Sequence, residues 1–173
     1  MNISDKHIEM LLQWEARRVK LESLAPDLPE GDFREYLISS ASTGSGIEFF
    51  LEHGRYWKPG TVPSWLEQGI PQYCFDNAQC LALARPELTY VEGYATFAWV
   101  VPHGWCIDEH GQVVDPTCED PTNVQYFGIA IDTQHLADIR QASSEATLFF
   151  GYRGADLRER IADIKSTRWH SGF

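Results

Sequence analysis

Residues 74–101 read CFDNAQCLALARPELTYVEGYATFAWVV, and a change of character inside this stretch decides the fold class. Its first part, Cys74–Ala84, has no Gly or Pro and is rich in Ala and Leu, which predicts a helix. Pro71 stands just before that helix and Arg85-Pro86 closes it. From Thr89 onward aromatic and β-branched residues take over, and a strand is expected over Thr89–Val101. Further strands are expected at His103–Asp108, Gln112–Asp115 and Tyr126–Ile131. Upstream, Ser4-Asp5 can cap a helix running to about Leu24, with Ile8, Leu11, Leu12, Trp14 and Val19 on its buried side. Pro26 and Pro29 end it, and Gly31–Ser40 suggests a second short helix carrying Phe33, Tyr36 and Leu37. Ser39–Gly46 reads as a loop, and residues 47–70 show no clear periodicity. After the strands, Asp132-Thr133 can cap a helix through about Gln141, followed by a strand at Ala146–Tyr152 and an amphipathic helix at Gly154–Ile164. Helices lead and a mostly antiparallel set of strands follows, which is an α+β pattern. The expectation is one domain over residues 1–173, mainly helical over 1–66 with the core over 67–173.

The length of 173 residues suits a single core. Apolar residues make up 43% and charged residues 23%, ordinary values that exclude disorder over most of the chain. Fourteen Lys and Arg against 25 Asp and Glu give a formal charge of −11, which argues against nucleic-acid binding and against docking on an anionic membrane. No apolar run approaches the roughly 20 residues that span a bilayer, and Met1–His7 lacks the features of a signal peptide. A cytoplasmic protein is expected, with Cys74, Cys80, Cys106 and Cys118 as reduced thiols.

Three residues then stand in an order that carries chemistry. Cys74 begins a predicted helix, where free backbone N–H groups and the helix dipole favour a thiolate. A free Cys is most often a small buried hydrophobe, so Cys74 alone decides nothing. His103 follows on a strand, and Asp115 comes twelve residues later across a hairpin. The turn Glu109-His110-Gly111 fits a three-residue loop with Gly in the left-handed position. In that register Trp105 lies opposite Asp115, and His103 is its diagonal neighbour on the same face. A one-residue change in the turn would separate them. Acyl transfer by a thiol needs a base that takes its proton and later protonates the leaving amine, and a third group that orients the imidazole. Asn77, one helical turn beyond Cys74, is expected to hold the surrounding loop.

The stretch HGWCIDEHGQVVDPT over residues 103–117 resembles the His strand, turn and Asp of transglutaminase-like proteins. More widely, the order C-F-D-N-A, Y-V-E-G-Y, H-G-W, V-V-D-P-T and Y-F-G-I over about residues 68–131 is similar to small bacterial and phage members of the papain-like and transglutaminase-like cysteine hydrolase superfamily. This resemblance implies a nucleophilic Cys74 at the start of a helix packed on an antiparallel sheet, with His103 as base and Asp115 as orienter. It also implies an oxyanion glutamine, for which Gln68, followed by Gly69 and six residues before Cys74, stands at the papain-like spacing. Gln72 is its competitor, and Trp105 a supporting residue.

Other chemistries fit less well. The cysteine spacings match no paired zinc pattern, no G-x-S-x-G elbow occurs, and Ser42–Gly46 lacks the Lys of a phosphate loop. The expected activity is therefore a cysteine-dependent hydrolase or acyltransferase. It would act on a peptide, isopeptide or glutamine side-chain amide of a protein or peptide-like substrate, through a thioester and without metal or cofactor. The alternative is a non-catalytic acidic binding or inhibitor protein that keeps the scaffold.

Overall fold

The computed structural model describes residues 5–42, 46–142 and 147–150. Three helices come first: α1 (Asp5–Leu24), α2 (Asp32–Ser42) and α3 (Ile47–His53). Strand β1 (Arg55–Pro59) follows, then α4 (Cys74–Ala84), β2 (Thr89–Thr96), β3 (Val100–Ile107), β4 (Gln112–Val114), β5 (Tyr126–Ile131) and α5 (Thr133–Ala142). The strands close into a mixed barrel in the order β1-β4-β3-β2-β5, and the class is α+β as expected. Four of the pairings are antiparallel, and β1 runs parallel to β4.

Period-two alternation divides the strand side chains between two cores. Val91, Ala95, Trp105, Ile107, Val113 and Tyr126 point into the barrel, where Trp57 of β1 joins them. Their neighbours Tyr90, Tyr94, Cys106, Val114, Phe127 and Ile129 point outward and pack under the helices. Helix α4 lies on the outer face of β3, with Ala78 and Ala82 fully buried and the Cys106 S–H donating to the Ala78 carbonyl at 3.2 Å.

Several expectations meet corrections. The single strand Thr89–Val101 is two strands, because the chain turns back at Phe97-Ala98-Trp99 and pairs Thr96 with Val100. No Gly, Pro, Asn or Asp marks that turn, so the sequence carries no punctuation there. Residues 47–70 supply α3 and the barrel strand β1. On α1 the expected buried side is exposed: Ile8, Leu11, Leu12, Trp14 and Val19 face away from the core. The charged side docks instead, with Arg18 paired to Glu35 at 2.8 Å and Arg17 donating to the Ala41 carbonyl at 3.2 Å. Apolar burial on α1 is left to Leu21 and, in part, Leu24 near its end. Residues 147–150 form bends and a turn where a strand was expected over Ala146–Tyr152, and the rest of that segment, with the expected helix Gly154–Ile164, lies outside the described residues. No helix among the described residues is long and apolar enough to cross a membrane.

Candidate active site

The hairpin after β3 sets the geometry. Cys106 pairs with Val114 and Ile107 with Val113, the register expected from a three-residue turn, and Gly111 takes φ +70° at its left-handed position. Asp108 caps the turn, accepting from the N–H groups of His110 and Gln112 at 2.9 and 2.8 Å. It is thereby occupied by the turn. One step beyond the last pair, Asp115 leaves β4 and meets His103, two residues before Trp105 on the same face. The His103 Nε2 and Asp115 Oδ2 atoms are 2.7 Å apart, and both side chains are buried.

Asp115 is held from three sides. Besides His103, it accepts from the Tyr126 hydroxyl at 3.0 Å and from the Thr117 N–H at 2.8 Å. Burial and the Asp115 charge keep the Tyr126 hydroxyl well above the ordinary tyrosine range, so it stays a donor. The imidazole is boxed by aromatic rings: Phe97 meets it edge-on at 5.1 Å, and Trp105 stacks at 6.1 Å with planes 17° apart.

Cys74 comes from the other side. The pairing of β4 with β3 stops at Cys106, and at Gly104 β3 meets the first turn of α4 so closely that a Cβ there would touch Phe75. There the His103 imidazole and the backbone N–H groups of Gly104 and Phe75 act on the Cys74 sulfur and favour its thiolate form. Burial alone would raise the thiol, but His103 and the two amides outweigh it and bring Cys74 below the ordinary range. Burial would likewise lower His103, but its hydrogen bonds to Asp115 and Cys74 push it up to about 9. With Nε2 engaged by Asp115, Nδ1 is the nitrogen available to the thiol. The two shifts favour a thiolate–imidazolium pair.

The loop before Cys74 is tied to the same corner. The Asn77 side chain donates to the Ile70 carbonyl at 2.8 Å and to Thr117 Oγ1 at 3.2 Å, and accepts from the Ile70 N–H at 3.2 Å. Asn77 thus fastens loop 69–73 to the residues that follow Asp115. The Gly69 N–H donates to the Pro116 carbonyl at 2.7 Å, and a Cβ on Gly69 would collide with the Asn77 amide. Gln68, next to this anchor, is exposed, as is Gln72. Gln72 has φ 71°, the one positive φ outside glycine among the described residues, a conformation that costs of order 1–3 kcal/mol and gathers at functional sites.

Cys74, His103, Asp115, Asn77 and Trp105 are therefore brought together, whereas Gln68 is exposed, and it is its neighbour Gly69 that is tied to Pro116. Sequence reasoning missed Tyr126 and Phe97. Tyr126 lies inside a strand that reads as core, and Phe97 is reached only once the β2–β3 turn is known. All four cysteines are free thiols: Cys80 is exposed on α4, while Cys106 and Cys118 are buried. Among the described residues no three His, Cys, Asp or Glu side chains converge to hold a metal. Comparisons with protein-family models, with curated proteins and with solved structures find no match.

Proposed function

We propose that the protein is a cysteine-dependent hydrolase or acyltransferase acting on amides, built on a papain-like and transglutaminase-like core. The observation that carries this reading is the buried His103–Asp115 hydrogen bond at 2.7 Å beside Cys74, with the thiol lowered and the imidazole raised by their interaction. The thiolate adds to the amide carbonyl, and the carbonyl electron pair moves onto oxygen. Backbone N–H groups at the start of α4, joined by Gln68 when substrate is bound, stabilise that oxyanion, a contribution of about 3–4 kcal/mol per well-placed donor. Collapse breaks the C–N bond, and imidazolium His103 gives its proton to the departing amine, leaving a thioester. Water or a second amine, deprotonated by His103, then attacks the thioester and returns the thiol. Asp115 holds the imidazole orientation throughout and stabilises its charged form.

Intact-mass spectrometry after exposure to candidate peptide, isopeptide and glutamine-containing substrates tests this. A covalent acyl adduct on wild type, absent in Cys74→Ala, is the expected result, and turnover that survives Cys74→Ala would overturn it. The second reading, a binding protein on the same scaffold, draws on the exposed apolar side of α1 and predicts that Cys74→Ala retains full function.

A further inference from the structure

Exposed apolar side chains are unevenly spread over the described residues. Apart from α1, Tyr36 and Leu83, the large ones fall on two segments: Val62, Trp65, Ile70 and Tyr73 before α4, and Phe97 and Trp99 in the β2–β3 turn. Trp65 has a companion, since the Arg85 guanidinium sits 3.7 Å over its ring. The remaining cluster belongs to the candidate site. Tyr73 immediately precedes Cys74, and its N–H donates to the Ile70 carbonyl at 3.2 Å. Phe97 presses edge-on against the His103 ring, and its N–H donates to the Trp99 carbonyl at 3.1 Å. One segment thus runs into the nucleophile and the other covers the base.

Exposure is high where burial would be expected for such residues: 65% for Ile70, 57% for Tyr73 and 73% for Trp99. Gly69–Tyr73 and Thr96–Pro102 hold no charged residue, in a protein with 25 acidic side chains. Apolar groups kept in water directly beside the candidate nucleophile and base mark a place where something apolar docks.

We propose that Ile70, Tyr73, Phe97 and Trp99 form the substrate-recognition rim of this site, and that the amide attacked by Cys74 is flanked by aromatic or aliphatic groups and not by charged ones. This inference rests on the cysteine-hydrolase reading. The rim removes apolar substrate surface from water next to the scissile carbonyl, while the acidic remainder of the surface repels anionic substrates.

Three alkylating probes test it: iodoacetamide, N-phenethyl iodoacetamide and iodoacetate. Rates are read separately at Cys74 and at exposed Cys80 by peptide mass mapping, so that Cys80 serves as the internal reference. The phenethyl probe should gain about tenfold over iodoacetamide at Cys74 relative to Cys80, the scale of a modest apolar subsite. Iodoacetate should lose ground at Cys74. Trp99→Ala and Tyr73→Ala should each cut the phenethyl gain by about threefold or more, with thermal unfolding midpoints read in parallel to show that both variants are folded. Trp14→Ala on α1 should leave the gain intact. If Cys74 outpaces Cys80 toward iodoacetamide but the phenethyl probe gains nothing, the rim is not a recognition surface, although the hydrolase reading stands. If Cys74 has no advantage toward iodoacetamide, the hydrolase reading fails and the rim inference falls with it.

Discussion

A thiol and an imidazole that share a proton titrate as a pair, and Cys74 and His103 show the opposed shifts such a pair produces. At pH 6 a free thiol with the usual pKa of about 8.5 is almost wholly protonated, so Cys74 should alkylate with iodoacetamide faster than Cys80. His103→Ala should abolish that advantage, and stopped-time mass mapping at pH 6 measures both. Asp115→Asn should slow turnover by up to about 10⁴, since the imidazole keeps a partner but can take the wrong tautomer. His103→Ala combined with Asp115→Asn should cost little more than His103→Ala alone, because Asp115 acts through the imidazole; a double-mutant cycle on kcat/KM reads this. The pair also has a stability signature. His103, raised in the folded state, contributes stability that is complete below about 6.5, its usual value, and that is lost as pH rises through about 9. Lowered Cys74 contributes stability of the opposite slope, present above the usual thiol value of about 8.5 and lost as pH falls through its lowered value, and so opposes the His103 limb. Cys74→Ala removes that opposing limb together with the Cys74 share of the imidazole's rise, so its urea-unfolding free energy should decline with pH above about 6.5, over the narrower window in which Asp115 alone holds His103 up.

Elements set the distances on which those residues depend. Asn77 and Gly69 fasten the loop to the hairpin end, so Asn77→Ala should unfasten Ile70 from Thr117 and lower kcat/KM by about tenfold or more, since a misplacement of about 1 Å can cost 10²-fold. Thermal melting should show the fold retained. Gly69→Ala should act in the same direction, because its Cβ must displace the Asn77 amide. At this scale the sequence was legible where punctuation is strong. The Pro-bounded helix Cys74–Ala84 and strand Tyr126–Ile131 have the expected bounds, and Gly111 fixed the register that joins His103 to Asp115. It was illegible where tertiary contacts override pattern. The Phe97-Ala98-Trp99 turn contains no turn residue, β1 is a short strand among Trp, Pro and Gly, and α1 docks through arginines with its apolar side outward. The His103–Asp115 juxtaposition follows from the hairpin spacing, while Cys74 is read from its helix start and from the resemblance. Tyr126 is not legible, because a strand tyrosine looks the same whether it packs or donates.

Across the whole molecule, one buried carboxylate links the barrel to its covering layer. Glu92 of β2 is fully buried and accepts from the N–H groups of Leu148, Phe149 and Phe150 and from the Tyr90 hydroxyl, which is itself bonded to Gln79 of α4. Glu92→Ala leaves those amides without their acceptor and should destabilise by about 2–4 kcal/mol, measured by chemical denaturation, with Glu92→Gln milder. Burial holds the Glu92 carboxyl above its ordinary range, so its contribution is greatest in acid and declines as pH rises through that raised value; Glu92→Gln should flatten this limb. The closure of the barrel has a different consequence, for synthesis on the ribosome. Strand β1 emerges before α4, yet its partners β4 and β5 are translated long afterwards, and the wall stays open until Tyr126–Ile131 has emerged. A growing chain therefore exposes Cys74 without its base, without Asp115 and without the tyrosine that steadies them. Its thiol passes through translation without the imidazole that lowers it, and only the completed seam of the barrel fixes His103, Asp115 and Tyr126 around it.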